Sequence, residues 1–256
     1  MGLILGTGTN SAYYELTKNI PKLGPEYRAK FEEMAINIEW GAFDNAKKIL
    51  PLTEYDAEMD LLTPNPGEQI FEKSISGFYL GELFRIIITH FHKQGLVFKT
   101  CGLPSTFDAF GGVDTAHLSG ILMDDSSNLS GVAKVAKEHL LVTGDAPIPL
   151  ADRIVLKKVA ELVGRRAAQL AGTGSSAVLL KRPELLDSSV TVGVDGSVYE
   201  FFPYFPLWME ETVASLVGRV RAHNIQFAIA RDGSGIGAAL ISMIADNISS
   251  ENSAKL

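Results

Sequence analysis

Three short segments set glycine and hydroxyl residues at the ends of apolar, strand-like runs: Gly6-Thr7-Gly8-Thr9-Asn10, Gly193-Val194-Asp195-Gly196-Ser197 and Arg231-Asp232-Gly233-Ser234-Gly235-Ile236-Gly237. Successive backbone N–H groups in such turns make a concave cradle for anions, and the missing Cβ atoms let phosphate oxygens approach. Thr7 and Thr9 add hydroxyl donors, and the third segment opens a helical run whose positive end favours phosphate. Each segment alone has a plainer reading. Asp195-Gly196 is also the dipeptide of a hairpin turn, and the Gly233–Gly237 run lacks the spacing of a dinucleotide fingerprint. Three in one chain, expected to converge on a triphosphate, favour a nucleotide. No G-x-x-x-x-G-K-[ST] run is present, which excludes a P-loop enzyme.

Two glutamates suggest a different chemistry. Glu39 interrupts an apolar strand just before Trp40-Gly41, and Glu72 follows Phe71 in the first turns of a helical pattern. A carboxylate at a strand end is costly to desolvate without partners. The two carboxylates and an amide such as Asn10 would together hold a fan of sugar hydroxyls. Glu72 is also read as a partner of the helix dipole, the commoner use, and Glu39 as an exposed strand end.

The elements that would position these residues follow from periodicity. Leu3–Leu5 and the run "NSAYYEL" predict two strands around the first glycine turn, and "MAINIEW" predicts a third, ended by Gly41. Thr17–Glu33 reads as a loop or short helix, and Pro64-Asn65-Pro66-Gly67 stops whatever precedes it. A long amphipathic helix is predicted from about Glu68 to Lys93, with Phe71, Ile75, Phe78, Leu83, Ile86, Ile87 and Phe91 on its apolar stripe and Gly95 as its stop. His90 and His92, roughly 200° apart on a helix, mark its exposed end rather than a ligand pair. Gly102–Asp145 reads as loops with one or two helical pieces, and Ala151–Lys181 as a helix whose small residues admit a neighbour. "SVTVGVDGSVYEFF" reads as a hairpin, Leu207–Ala222 as a helix, and "IQFAIA" as a strand leading to a final helix. The pattern is mixed α/β, with helices packed on a sheet.

Composition narrows the partners. With 46% hydrophobic residues in 256, the chain has material for a substantial core. The net charge of -7 and the lack of Lys/Arg-rich runs argue against nucleic acid. Cys101 is the sole cysteine, so an intrachain disulfide is impossible and a Cys/His metal cluster is not expected. No apolar run reaches the ~20 residues of a membrane span, and no secretory signal or myristoylation signature opens the chain. Cytoplasmic is the expected location, where the sequons Asn128-Leu129-Ser130 and Asn247-Ile248-Ser249 have no role.

Taken in order, "LILGTGTNSAYYE", "MAINIEWGAFDN", "NPGEQIFEKSISGFYLGELFR", "VGRRAAQLAGTG", "VTVGVDGSVYEFFPYF" and "DGSGIGAALI" resemble the C-terminal half of a hexokinase. The resemblance runs over nearly the whole chain and is weakest over Cys101–Pro149. It implies the large domain of an actin-like, ribonuclease-H-like sugar kinase of fungal type. It also implies ATP, with Mg²⁺ held through the phosphates, and transfer to the 6-hydroxyl of a glucose-type hexose. By position, Asn10, Glu39 and Glu72 match the hexose-contacting residues of the family. Gly6, Thr7, Gly8 and Thr9 match its second phosphate motif; Gly193, Asp195, Gly196 and Ser197 match its adenosine motif. Asp232, Gly233, Ser234 and Gly235 match the last glycine turn, around the adenosine and α-phosphate. Thr115 and Ser119 lie in the loop flanking adenine, where Ala116 departs from the usual Lys or Ser.

The family's Asp-Leu-Gly-Gly-Thr-Asn turn and its catalytic aspartate, both in a small N-terminal domain, have no counterpart here. The expectation is a cut near Met1 inside a longer protein, an inactive isolated chain without its general base, and an apolar patch laid bare. Asp195 and Asp232 are expected in turn roles. An N-acetylglucosamine kinase, a non-catalytic hexokinase-like sugar sensor and an actin-like scaffold are the competing readings; the last has no use for Asn10, Glu39 and Glu72 together.

Overall fold

The computed structural model describes residues 1–144 and 146–253, with side chains described through residue 244, so the sequon Asn247-Ile248-Ser249 lies outside the described side chains. Period-two alternation sends Leu3 and Leu5 of β1 (Gly2–Leu5) into the core and leaves Ile4 on the opposite face. β2 (Thr9–Leu16) returns antiparallel, pairing Thr9 with Leu5, and β3 (Glu33–Asn37) adds antiparallel to β2. β4 (Val190–Asp195) and β5 (Ile225–Ile229) run parallel to β1. The sheet order is β3-β2-β1-β4-β5, a mixed sheet in the ribonuclease-H-like arrangement.

Helices α1 (Pro25–Lys30), α2 (Glu54–Leu62), α3 (Ile70–Ile75), α4 (Gly77–Lys93), α5 (Thr115–Leu122) and α6 (Ser130–Glu138) precede the long α7 (Leu150–Lys181). After β4 come α8 (Ser197–Phe201), α9 (Phe205–Val217) and α10 (Arg219–Ala222), and α11 (Gly233–Ser253) follows β5. α7 lies along α9 and also meets α3, α4 and α5. Its small residues do admit neighbours: a Cβ on Gly164 would collide with the Phe202 ring. Leu5, Val192 and Val194 join one core with Leu156, Ala160 and Met209. On the other sheet face Ile4 and Tyr14 stay exposed.

Several sequence expectations change. The long helix predicted from Glu68 is two helices, because Ser76 adopts extended backbone (ψ 152°) between α3 and α4. Phe78, assigned to the apolar stripe, is 52% exposed. The hairpin predicted at Asp195-Gly196 is a strand-to-helix junction: β4 ends at Asp195 and Ser197 begins α8. The helix predicted over Leu207–Ala222 breaks at Gly218, whose φ is 91°. The histidine pair is half-buried rather than exposed, and His90 Nε2 lies 2.6 Å from Glu58 Oε2.

Candidate active site

The Gly6–Gly8 turn between β1 and β2 organises the site. Its carbonyls face the start of α4: Gly77 N–H donates to Gly6 O (2.8 Å) and Phe78 N–H to Thr7 O (3.2 Å). The end of β4 presses on the same turn. Gly196 has φ 128°, and a Cβ there would collide with the Leu5 carbonyl. A Cβ on Gly77 would lie 2.8 Å from Val198 Cγ2. Turn, α4 and α8 therefore meet backbone to backbone, an approach that only glycine permits.

A cleft of about 370 Å³ opens where they meet, lined by Thr7, Gly77, Phe78, Thr115, Ser119, Ser197 and Phe201 among others. The hydroxyls of Thr7, Ser119 and Ser197 make no hydrogen bond to the described residues, which leaves them available to a ligand. Thr115 differs. Its hydroxyl donates to Gly77 O (2.6 Å) and accepts from Gly81 N–H (2.9 Å), so it braces α5 against the first turn of α4. Asp114 caps α5 by accepting from Ala116 N–H (2.7 Å), while its own N–H donates to His117 Nδ1 (3.1 Å). Burial holds the His117 imidazole below its ordinary pKa, against the opposing pull of Asp114; the stacked His139 adds to the lowering.

Asn10, Glu39 and Glu72, the residues expected to hold a sugar, also gather at the first turn, from its far side. Thr9 N–H donates to Glu72 Oε2 (3.0 Å), and Gly8 leaves room for that carboxylate, since a Cβ would stand 2.9 Å from it. Glu72 thus answers to a strand N–H while also standing in the first turn of α3, where the helix dipole favours a carboxylate. Asn10 Oδ1 accepts from Ser11 N–H (2.7 Å) and Glu39 N–H (3.1 Å), while Asn10 Nδ2 donates to Asn37 Oδ1 (2.7 Å). Asn37 Nδ2 in turn donates to Glu39 Oε1 (2.6 Å). The open valences are one Asn10 N–H and carboxylate lone pairs on Glu39 and Glu72, a set matched to vicinal hydroxyls.

Glu39 stands beyond β3, which ends at Asn37, and does not interrupt the strand as expected. It adopts left-handed backbone (φ 54°), a strained conformation for a residue with a Cβ and one that concentrates at functional positions. The turn Trp40–Ala42 that follows is anchored by Trp40 Nε1–H donating to Thr9 Oγ1 (2.9 Å). Thr9 also donates to Ile4 O (2.9 Å), so its hydroxyl is occupied internally.

The three glycine turns lie side by side, the second touching the first at Gly6 and Gly196 and the third at Asp195 and Gly233, and their residues line two cavities. Thr7, Ser197, Thr115 and Ser119 line one cleft, whereas Gly193, Asp195, Gly233 and Ser234 line a second cavity of about 340 Å³ that also reaches Asn10. Asp195 Oδ2 accepts from Ser234 N–H (3.4 Å), joining the second and third turns in that cavity. Asp232 is in left-handed backbone (φ 55°), and its carboxylate fills the space a Cβ on Gly235 would need. Asp232 thus sits in a turn as expected, whereas Asp195 is the last residue of β4, paired with Ile4 of β1.

The family model described as "Hexokinase" matches residues 1–244. The chain belongs to the hexokinase family. It is 37% identical to a glucokinase of Aspergillus niger over 96% of this chain and 52% of that protein. A Kluyveromyces lactis hexokinase is 36% identical, with 95% of this chain and 50% of that protein covered. The chain spans about half the length of these curated relatives. Among solved structures, a Schistosoma mansoni hexokinase complexed with glucose superposes with TM-score 0.77 at 33% identity, over 91% of this chain and 49% of that one. The sheet order and these neighbours establish the actin-like sugar-kinase fold.

Sequence reasoning missed several residues around the candidate site. Asn37 bridges Asn10 and Glu39, Gln69 in left-handed backbone packs its amide against Gly41, and Phe78 and Phe201 line the cleft. The signal for Gln69 was its place after Pro66-Gly67-Glu68, where a helix begins. Phe78 is hidden in the sequence because its spacing continues the helical stripe across Ser76, where the structure bends.

Proposed function

We propose that this chain supplies the nucleotide cleft and most of the sugar grip of an ATP-dependent hexose 6-kinase, acting in the cytoplasm at the entry to glycolysis. One observation carries the reading: a single turn, Gly6–Gly8, lines the nucleotide cleft through Thr7 and leads at once to Thr9, whose N–H holds the Glu72 carboxylate. Two ligands held on either side of one turn are neighbours, as phosphoryl transfer requires. The glucose complexed with the similar Schistosoma mansoni hexokinase supports a hexose as the acceptor.

In this reading Glu39, Glu72 and Asn10 hold the ring hydroxyls and orient the primary hydroxyl toward the γ-phosphorus. Its oxygen forms the new P–O bond as the bond to ADP breaks, and its proton passes to a carboxylate. Positioning supplies most of the rate. Thr7 and Ser197 fit a polyphosphate, because both present hydroxyls without partners among the described residues, in a glycine-lined cleft. Mg²⁺ would ride on the phosphate oxygens and neutralise their charge. No residue of this chain is proposed as the proton acceptor; the relatives extend about as far again beyond the matched region, and that part would supply it.

Calorimetric titration of the purified chain with glucose and with N-acetylglucosamine tests this. Glucose binding is expected, weakened about tenfold or more by Glu39→Gln or Glu72→Gln, since each removes charge-assisted hydrogen bonds. Glucose binding untouched by the double variant would overturn the sugar grip. Glucose-dependent ADP release by this chain alone, abolished by Glu39→Ala, would overturn the assignment of the proton acceptor elsewhere.

A further inference from the structure

One buried ionic cluster has no part in the chemistry proposed above. Asp60, in the last turn of α2, is 3% exposed, and Lys73, the residue after Glu72, is 2% exposed. The Asp60 carboxylate accepts from Lys73 Nζ at Oδ1 (2.6 Å), from Lys47 Nζ at Oδ2 (2.6 Å) and from Gly67 N–H (3.0 Å). Lys73 Nζ also donates to Asn65 O (2.7 Å). Burial works to raise the Asp60 pKa, but the two ammonium groups and the Gly67 N–H outweigh it and hold the carboxyl below its ordinary value. The group is therefore ionised at neutral pH. A buried pair of this kind adds little net stability over apolar packing, because desolvation offsets the attraction. What it adds is direction.

Both arms of the cluster lead to the glutamates proposed for the sugar. Lys73 sits beside Glu72 on α3, a helix of six residues, too short to hold its own position. A tether on Lys73 fixes the rotation of α3 about its axis, and with it the direction of Glu72, whose Oε2 meets Thr9 N–H (3.0 Å). Lys47 lies in the segment that follows Glu39 and the Trp40–Ala42 turn. Asp44 folds that segment on itself by accepting from the N–H groups of Lys48, Ile49 and Leu50 (2.8 Å each). Asn45 Oδ1 accepts from Ile70 N–H (3.3 Å) and docks the segment on the start of α3, and Lys47 carries it to α2. The segment after Glu39 and the helix of Glu72 thus share one anchor.

Resting on the sugar grip read above, we propose that Asp60 is a positioning residue for sugar binding, aiming Glu72 through Lys73 and steadying the segment after Glu39 through Lys47. The buried arm carries most of the effect. Lys47, with 39% of its side chain exposed, can exchange its partner for water and contributes little.

The test uses the double variant Asp60→Asn/Lys73→Met, which leaves neither member of the buried pair as a lone charge and keeps the side-chain volumes close. A circular dichroism melt near that of the parent is expected. Glucose binding, followed by ligand-detected NMR, should weaken about tenfold, the scale of one misdirected charge-assisted hydrogen bond. Lys47→Met should weaken it about threefold or less. In a Glu72→Ala background the loss caused by the double variant should shrink to within about twofold, because nothing is left to aim. A readout without sugar is deuterium exchange at the Thr9 amide, expected about tenfold faster in the double variant while the other β2 amides keep their rates. A glucose loss of the same size in both backgrounds, glucose bound as by the parent, or faster exchange throughout β2 would each overturn the proposal. So would a double variant that does not fold, which would assign the cluster to stability. Thr9 exchange unchanged, with glucose binding still lost in Glu72→Ala, would overturn it and leave the sugar grip standing. No glucose binding by the parent would bring down the sugar grip and this inference together.

Discussion

The two sides of the Gly6–Gly8 turn are built by opposite means. On the side proposed for the nucleotide, backbones touch: Gly196 against Leu5, Gly77 against Gly6, with the N–H groups of Gly77 and Phe78 spent on the turn's carbonyls. On the side proposed for the sugar, side chains reach out: Glu39 is strained, and Asn10 and Asn37 hold it by amide hydrogen bonds. Fold and cleft are therefore inseparable on the first side, whereas the second can lose its function and keep its fold.

The largest effect expected on that contrast is from Gly196→Ala. The new Cβ meets the Leu5 carbonyl and the backbone is at positive φ, so a loss of about 3 kcal/mol or more is expected in urea unfolding. A variant that melts like the parent would erase the contrast. Next comes Thr115→Val, which strips partners from Gly81 N–H and Gly77 O and should cost ~1–3 kcal/mol, with Thr115→Ser recovering most of it. On the sugar side, Glu39→Gly should raise stability by about 1 kcal/mol by removing left-handed strain while abolishing sugar binding. A destabilised Glu39→Gly chain would mean that the sugar side also bears on the fold.

The smallest effect is a pH dependence at the cleft's rim. Because burial depresses the folded-state pKa of His117, the unfolded chain takes up that proton first as pH falls. Stability is thus retained above the ordinary value of about 6.5 and declines below it. Thermal melts between about pH 7.5 and about pH 5.5 should show a steeper decline in the parent than in His117→Asn; equal slopes would remove His117 from the account.

Much of this was readable from residue order. Leu3–Leu5, the Gly6–Asn10 turn and α7 declare themselves by alternation, glycine and helical spacing. The resemblance singled out Asn10, Glu39 and Glu72, and the turn does bring them together. What stayed hidden has local physical causes. Asp195-Gly196 carries the same dipeptide as a hairpin, and only the approach of Leu5 reveals a strand-to-helix corner. Ser76 is no helix breaker by type, so the bend before Gly77 depends on the bonds that Gly77 and Phe78 make to the turn. Glycine in the Asp232–Gly235 run signals a turn but not which cavity it lines.

That bend has a further consequence. Glu72 and Gly77, five positions apart, face the proposed sugar grip and the proposed nucleotide cleft respectively, their two helices joined through one extended residue. An added or deleted residue between them would rotate one helix against the other by about 100° and shift it by about 1.5 Å. The spacing of the two proposed ligand sites is thus written into the length of a short ruler, which tolerates changes of letter far more readily than changes of count.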